Sequence, residues 1–245
     1  MLRGFYTELA ISQPYHSDYT IFLYYQKERK KYGTFEVFAV ILQIKFLYLQ
    51  RKTLIMARNK RLTIDEILKL KATALYVINK CQDVDLLHLF KILYFADKEH
   101  YAVYGRRIIN DTFCALQNGP VPSFLYDAIK VHQGGRCTDE LRIISDSIFL
   151  PSKEFDYYVS SKEQPDMDEL SASDIEMLDK SISENKDVPF GELSKRSHDI
   201  AWRDAWEKQQ NSPIDPLLMA RAAGASDATI DYIRENEFFD QLVEA

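Results

Sequence analysis

Cysteine is scarce in this chain. Cys81, Cys114 and Cys137 are an odd number in 245 residues, and no C-x-x-C pair occurs. That excludes a disulfide framework and a zinc knuckle, and it fits reduced thiols in a cytosolic protein. Long apolar runs are missing too. The nearest candidate, Phe35 to Leu49, is broken by Glu36, Gln43 and Lys45, whereas a spanning helix needs about 20 mostly apolar residues. It also lies too far from the N-terminus, with no small-residue cleavage site after it, to read as a signal peptide. There is no Walker loop, G-x-G-x-x-G, H-E-x-x-H or G-x-S-x-G, so the usual phosphate cradles, zinc-protease helices and nucleophile elbows are excluded. Internal repeats and low-complexity tracts are absent as well.

What is present is a core-forming composition, 46% hydrophobic and 13% aromatic, as a globular domain requires. Charge is uneven. Residues 1–61 carry 11 Lys+Arg against 4 Asp+Glu, giving +7, while residues 62–245 carry 20 against 33, giving −13. An acidic body of this kind repels a phosphate backbone, so nucleic acid is not an expected partner. Composition changes abruptly at Met56, where M-A-R-N-K-R-L-T-I-D-E-I-L reads like a natural start. Residues 1–55 are therefore expected to be an extension from an upstream start codon, and 56–245 to hold the core.

Along 56–245 the periodicity predicts a mainly α protein with a small antiparallel β-sheet, an α+β class. Thr63 and Glu66 form a capping box before a helix to about Lys80, with Ile64, Ile67, Lys71, Leu75 and Ile78 on one stripe. Asp83 or Asp85 caps the next helix, Leu86 to about Tyr101. That helix is apolar around most of its circumference, and Gly105 closes it. Short strands are expected at 106–110 and 112–116. Pro120 forces Gly119 out of the helical region, and Pro122 suits the first turn of a helix from Ser123 to Val131, which Gly134-Gly135 ends. Leu141–Ile144 and Asp156–Ser160 read as further strands with Ile148–Leu150 between them. Helices follow from Ser171 to about Asn185, from Val188 to Lys195, from Ser197 through both tryptophans, and from Asp227 to about Val243, with breaks at Pro213 and Pro216.

Two constellations invite a chemical reading, and both fail on spacing. Asp97 and His100 share a helical face, but no further ligand stands near enough to complete a metal site. The row Ser197-His198-Asp199 is consecutive, and neighbours on a helix point about 100° apart, so it cannot act in series as nucleophile, base and orienter. His198 and Trp202, four apart, are expected to pack on one face. No catalytic residue, metal or cofactor is assigned.

The segment Leu89–Asp127 contains Lys91-Ile92-Leu93-Tyr94-Phe95-Ala96-Asp97, then Tyr104-Gly105-Arg106-Arg107-Ile108, then Gly119-Pro120-Val121-Pro122 with Leu125-Tyr126-Asp127. Further on come Leu170-Ser171, Glu192-Leu193-Ser194 and Ser197-His198 with Trp202. This combination resembles the Panacea (SocA-like) antitoxin domain, and it covers most of the chain after Met56. The resemblance implies a single helical domain in a bacterial or phage-associated antitoxin. Such a protein is cytoplasmic and non-enzymatic, and it neutralises a toxin encoded by an adjacent gene through protein–protein contact. It also implies an alternative, a protease adaptor or host-interaction protein without a cognate toxin. The motif residues carried over, as structural or partner-binding, are Tyr94, Asp97, Tyr104, Gly105, Arg106, Gly119, Pro120, Val121, Pro122, Tyr126, His198 and Trp202. Aromatic residues and arginines are the usual anchors of protein interfaces, so Tyr101, Tyr104, Arg106 and Arg107 are the candidate partner contacts. Tyr126 is expected in the core.

Overall fold

In the computed structural model the described residues are 61–82, 84–150 and 158–243, with side chains described to residue 237. The chain divides into Met1–Asn59 and Lys60–Ala245. The expected extension 1–55, the start at Met56 and the alternative cap Asp83 lie outside the described residues, so the fold is that of the second unit.

Helix α1 spans Ile64–Cys81 and opens on the expected capping box, with Glu66 N–H donating to Thr63 Oγ1 and Thr63 N–H to Glu66. Ile67, Leu75 and Ile78 are buried, while Ile64 at the helix entrance is exposed. Asp85 ends the two-residue strand β1 (Val84–Asp85) and caps α2, accepting from Leu87 and His88 N–H. Helix α2 (Leu86–Tyr104) is the axis of the domain. Leu89, Ile92, Leu93, Tyr94 and Ala96 are fully or almost fully buried, and each large apolar side chain so buried stabilises by about 1.5–3 kcal/mol. Gly105 ends the helix at φ +65°, the left-handed conformation that glycine adopts freely.

Residues 106–110 do not form the expected strand. Ile108 and Ile109 N–H donate to the Asp97 carboxylate at 2.8 and 3.1 Å, so these two donors go to a side chain and not to a ladder. The strand β2 (Phe113–Leu116) is present and pairs antiparallel with β3 (Gly119–Pro122). The Gly-Pro-Val-Pro sequence is thus itself a strand, where a rigid turn was expected. Pro122 is the N-cap of α3 (Ser123–Lys130), one position earlier than the first turn. A 3₁₀ turn, Val131–Gln133, continues α3 and Gly134 closes it.

Leu141–Ile144 is helical, inside α4 (Asp139–Ser145). Thr138 caps this helix, Asp139 and Glu140 favour its first turn, and Leu141 and Ile144, three apart, bury one face. The period-2 reading of those residues is thereby corrected. Strands β4 (Ile148–Phe149) and β5 (Tyr158–Ser161) pair with each other, and β1 pairs with β5, giving the order β1-β5-β4. Residues 156 and 157 of the expected strand lie outside the described residues.

Helix α5 (Ala172–Asn185) starts at the Ser171 cap and packs along α2, with Ser181 Oγ donating to Ile92 O. Helix α6 is Phe190–Ser197, and α7 is Ile200–Lys208 with Asp199 as its cap. Ser197 therefore ends one helix and does not begin the next. Its hydroxyl donates back to Ser194 O, while Asp199, with a side chain that accepts from Ala201 and Trp202 N–H, makes the stronger start. Helix α8 (Pro216–Ala222) follows the proline break, and α9 spans Asp227–Val243. The main core gathers around α2. A smaller cluster of Tyr101, Ala220, Ile230 and Ile233 joins α2 to α8 and α9.

A candidate partner-binding site

Buried carboxylates organise the loops around α2. Asp97 accepts three hydrogen bonds, from Ile108 and Ile109 N–H and from Arg107 Nε at 2.8 Å, and it forms an ion pair with Arg107 Nη2 at 2.6 Å. Arg107 also donates to Asp111 O and lies over the Phe113 ring. Asp111 accepts from Ser123 Oγ and from Phe124 and Leu125 N–H, supplying α3 with the side-chain cap that Pro122 lacks. Burial raises its pKa to about 6 against those hydrogen bonds. Asp199, besides capping α7, accepts from the Tyr94 hydroxyl and pairs with Lys98 at 2.8 Å.

Near the C-terminal end of α2, beside His100, Asp174 is fully enclosed. Burial pushes its pKa up, but Lys69 at 2.8 Å and the Ser171 cap hold it below the ordinary value. His100 contacts Arg106 O and Ser173 Oγ, and its imidazole pKa is lowered chiefly by burial.

The hairpin β2–β3 is fixed by a buried cation. Lys91, 1% exposed in the middle of α2, donates to Pro120 O at 2.7 Å, and burial lowers its pKa to about 7. Gly119 lies against it with φ +104°, and a Cβ there would sit 2.2 Å from Ser197 Oγ. The approach of α6 is what demands a residue without a side chain here. Trp202 Nε1–H donates to Leu116 O from below, and the His198 ring stacks on Trp202 at 3.7 Å. Trp206 continues the stack at 5.3 Å. The His198 pKa is lowered by burial first and by the Lys91 charge second.

Between this hairpin, the first half of α2 and the start of α6 lies a groove of about 950 Å³. Phe90, Val121, Tyr126, Phe190 and Trp206 give it apolar walls, and Lys91 contributes to its lining.

Ten of the twelve motif residues fall into two groups. Tyr94, Asp97, Gly105, Gly119, Pro120, Pro122, His198 and Trp202 hold the structure together, whereas Val121 and Tyr126 line the groove. Tyr126 is half-buried, its ring edge-on to Phe90 at 5.8 Å, so it joins core and groove alike. Of the four expected partner contacts, Tyr104 is partly exposed, with its hydroxyl near Glu176, and Arg106 is bonded to Ser171 and Ser173 near the surface. Tyr101 is 5% exposed, under α9, and Arg107 is tied to Asp97. Burial removes the access that an anchor role for these two requires. Tyr104 and Arg106 lie at the C-terminal end of α2 and do not line the groove. Asp97 and His100 turn to different partners, Asp97 to Arg107 and His100 to Arg106 O. The consecutive Ser197, His198 and Asp199 likewise turn to three different partners.

Lys91, Asp111, Phe190 and Trp206 escaped the sequence reading. Lys91 had a signal, since it interrupts the apolar run from Leu89 to Ala96. The others come together only through the fold.

A mainly helical domain with capped loops and an apolar groove is the class this architecture defines. Residues 89–203 match the family model of the antitoxin SocA-like, Panacea domain. No curated protein and no solved structure matches the chain significantly. The matched stretch runs from α2 into α7 and contains the hairpin, the Lys91 floor and the His198–Trp202 stack. Among the described residues, no helix is long and apolar enough to cross a membrane.

Proposed function

We propose that this protein is the antitoxin of a bacterial or phage-associated toxin–antitoxin pair. It acts in the cytoplasm by covering the surface of a toxin encoded by the adjacent gene and catalyses no reaction. The match to the antitoxin SocA-like, Panacea domain carries this reading. The side chains support it, because the buried acids that could have served a reaction are spent on backbone. Asp97 holds the loop after α2, Asp111 caps α3, and Asp199 caps α7. A rigid scaffold with an apolar recess is what a neutralising contact needs, since a few well-packed anchors dominate such interfaces.

Co-expression is the test. Each neighbouring gene is induced alone and together with this chain, and growth is followed. One neighbour is expected to arrest growth alone and to be silenced by this protein, with the two co-purifying. If no neighbour is toxic, or toxicity persists with the chain abundant and folded, the reading is wrong.

A further inference from the structure

Three basic side chains converge on one enclosed carboxylate near the C-terminal end of α2. Asp174 Oδ2 accepts from Lys69 Nζ at 2.8 Å and from Ser171 N–H at 2.9 Å. Oδ1 is buried and accepts no hydrogen bond among the described residues. His100 Nε2 stands 3.2 Å from it, and Arg106 Nη1 3.6 Å. His100 is itself 0% exposed. Its Nδ1 faces Arg106 O at 2.7 Å, and a carbonyl only accepts, so this nitrogen carries the proton of the neutral ring. Nε2 then holds the lone pair and accepts from Ser173 Oγ at 3.1 Å. Arg106 Nη2 donates to that same hydroxyl at 2.9 Å and to Ser171 Oγ at 3.1 Å. The other titratable groups facing His100 are engaged elsewhere. Lys69 on α1 pairs with Asp174, and Asp97 on α2 pairs with Arg107. Tyr104, its ring 4.7 Å from the imidazole, has its hydroxyl near Glu176 of α5.

We propose that His100 is an acid sensor controlling Arg106: a second proton, on Nε2, pairs the imidazolium with Asp174 and drives the Arg106 guanidinium off the α5 N-terminus into solvent. With the ring neutral, one carboxylate is shared by two cations, Lys69 and Arg106. The protonated ring makes three, close together and shielded from water, where like charges repel most strongly. Of the three, Arg106 is the one free to leave. Its side chain is 49% exposed, it approaches Asp174 least closely, and its hydrogen bonds go to neutral hydroxyls. Lys69 holds Oδ2 at 2.8 Å, and His100 is enclosed. The proton also reverses the Ser173 hydroxyl, which accepts from Nε2–H where it had donated to the lone pair. Oδ1 gains the cation it lacks. Burial holds the imidazole below its ordinary value, so the ring is neutral at pH 7 and the change comes with acidification. The surface beside Tyr104 thereby gains a free guanidinium in acid. The device belongs to the chain alone and stands whether or not the antitoxin reading does.

The test uses the full chain with isotope-labelled histidine and arginine, followed by NMR from about pH 8 to about pH 5. His100→Gln and Arg106→Gln assign the two side chains. The His100 ring is expected to titrate below about pH 6.5. At the same midpoint, hydrogen exchange of the Arg106 guanidinium, measured relative to the exposed Arg203, should rise about tenfold or more. Arg106→Gln changes a half-exposed side chain, with little risk to the fold, and removes a cation facing the ring. It should raise the His100 midpoint by about half a pH unit or more. A purely packing role for Arg106 would leave that midpoint where it is. In His100→Gln the relative exchange of Arg106 should stay flat across the range. If that variant does not fold, the shared midpoint in the wild type and its shift in Arg106→Gln decide the matter. Any one of four results overturns the proposal. They are a His100 titration without change at Arg106, a ring that stays neutral until the chain unfolds, an Arg106→Gln midpoint that does not rise, and an Arg106 response that persists in His100→Gln.

Discussion

Replacing Asp97 by Asn tests whether the centre of the domain is held by the charge of this side chain or merely by its shape. In the native protein Asp97 Oδ1 accepts from Ile108 and Ile109 N–H, and Oδ2 accepts from Arg107 Nε and pairs with the charge at Nη2. Asn fits the same space and keeps Oδ1 for the two backbone donors. At Oδ2 it places an NH₂ against a guanidinium whose side chain is only 11% exposed. Breaking a buried ion pair on one side typically costs about 3–5 kcal/mol. Total stabilities of domains lie at roughly 5–15 kcal/mol, so the variant should lose a large share. Urea unfolding followed by tryptophan fluorescence and by far-ultraviolet circular dichroism measures this. The expected result is a midpoint shift equivalent to about 3 kcal/mol or more, with an unchanged slope. The double variant Asp97→Asn, Arg107→Met should recover at least about 1 kcal/mol of that, because the unpaired charge has gone. A loss below about 1 kcal/mol in the single variant, or none recovered in the double, would refute the claim that the pair organises residues 106–111.

Gly119→Ala should destabilise by more than about 2 kcal/mol, since φ is +104° and the new methyl meets Ser197 Oγ and Lys91. Thermal unfolding checks this, and Ser197→Gly should relieve only part of the loss. Asp111 binds its proton more tightly folded (pKa about 6) than unfolded (about 3.8), so its contribution is fullest below pH 4 and is lost as pH rises through 6. The wild-type minus Asp111→Asn stability difference, from urea midpoints at pH 4 to 7, should therefore fall by about 3 kcal/mol at most across that window, and a rise would contradict the burial argument. His198→Ala removes the ring stacked on Trp202, and it should shift tryptophan emission and cost about 0.5–1.5 kcal/mol beyond lost area.

Much of the fold could be read from local signals. The Thr63–Glu66 box, the Asp85 cap and the all-round apolar character of α2 are nearest-neighbour chemistry, and they came out as read. Residues 106–110 could not be read this way. A β-leaning run became a loop because Asp97, about ten residues earlier, takes up its backbone donors. Leu141–Ile144 failed for another reason: four apolar-rich residues fit two periods equally, and the Thr138 cap decided for the helix. At the candidate site, the motif residues Val121 and Tyr126 were named from sequence, but the groove they line needs Phe190 and Trp206 from about 65 and 80 residues further on. Tyr101 and Arg107 show the reverse limit. Residue type suggested anchors, but α9 and Asp97 cover them.

The small hairpin has a consequence for how partners can be recruited. The outer side of β2 is already occupied, as Ala115 N–H donates to Ser212 O and Ile214 N–H to Phe113 O. The outer side of β3 offers Pro120 and Pro122, which have no N–H to give. A visiting polypeptide therefore finds no open ladder to extend, and generic main-chain templating is shut out on both flanks. Discrimination must then come from side chains alone. Contact with this hairpin is thus specified residue by residue, on a frame fixed beneath by carboxylate caps.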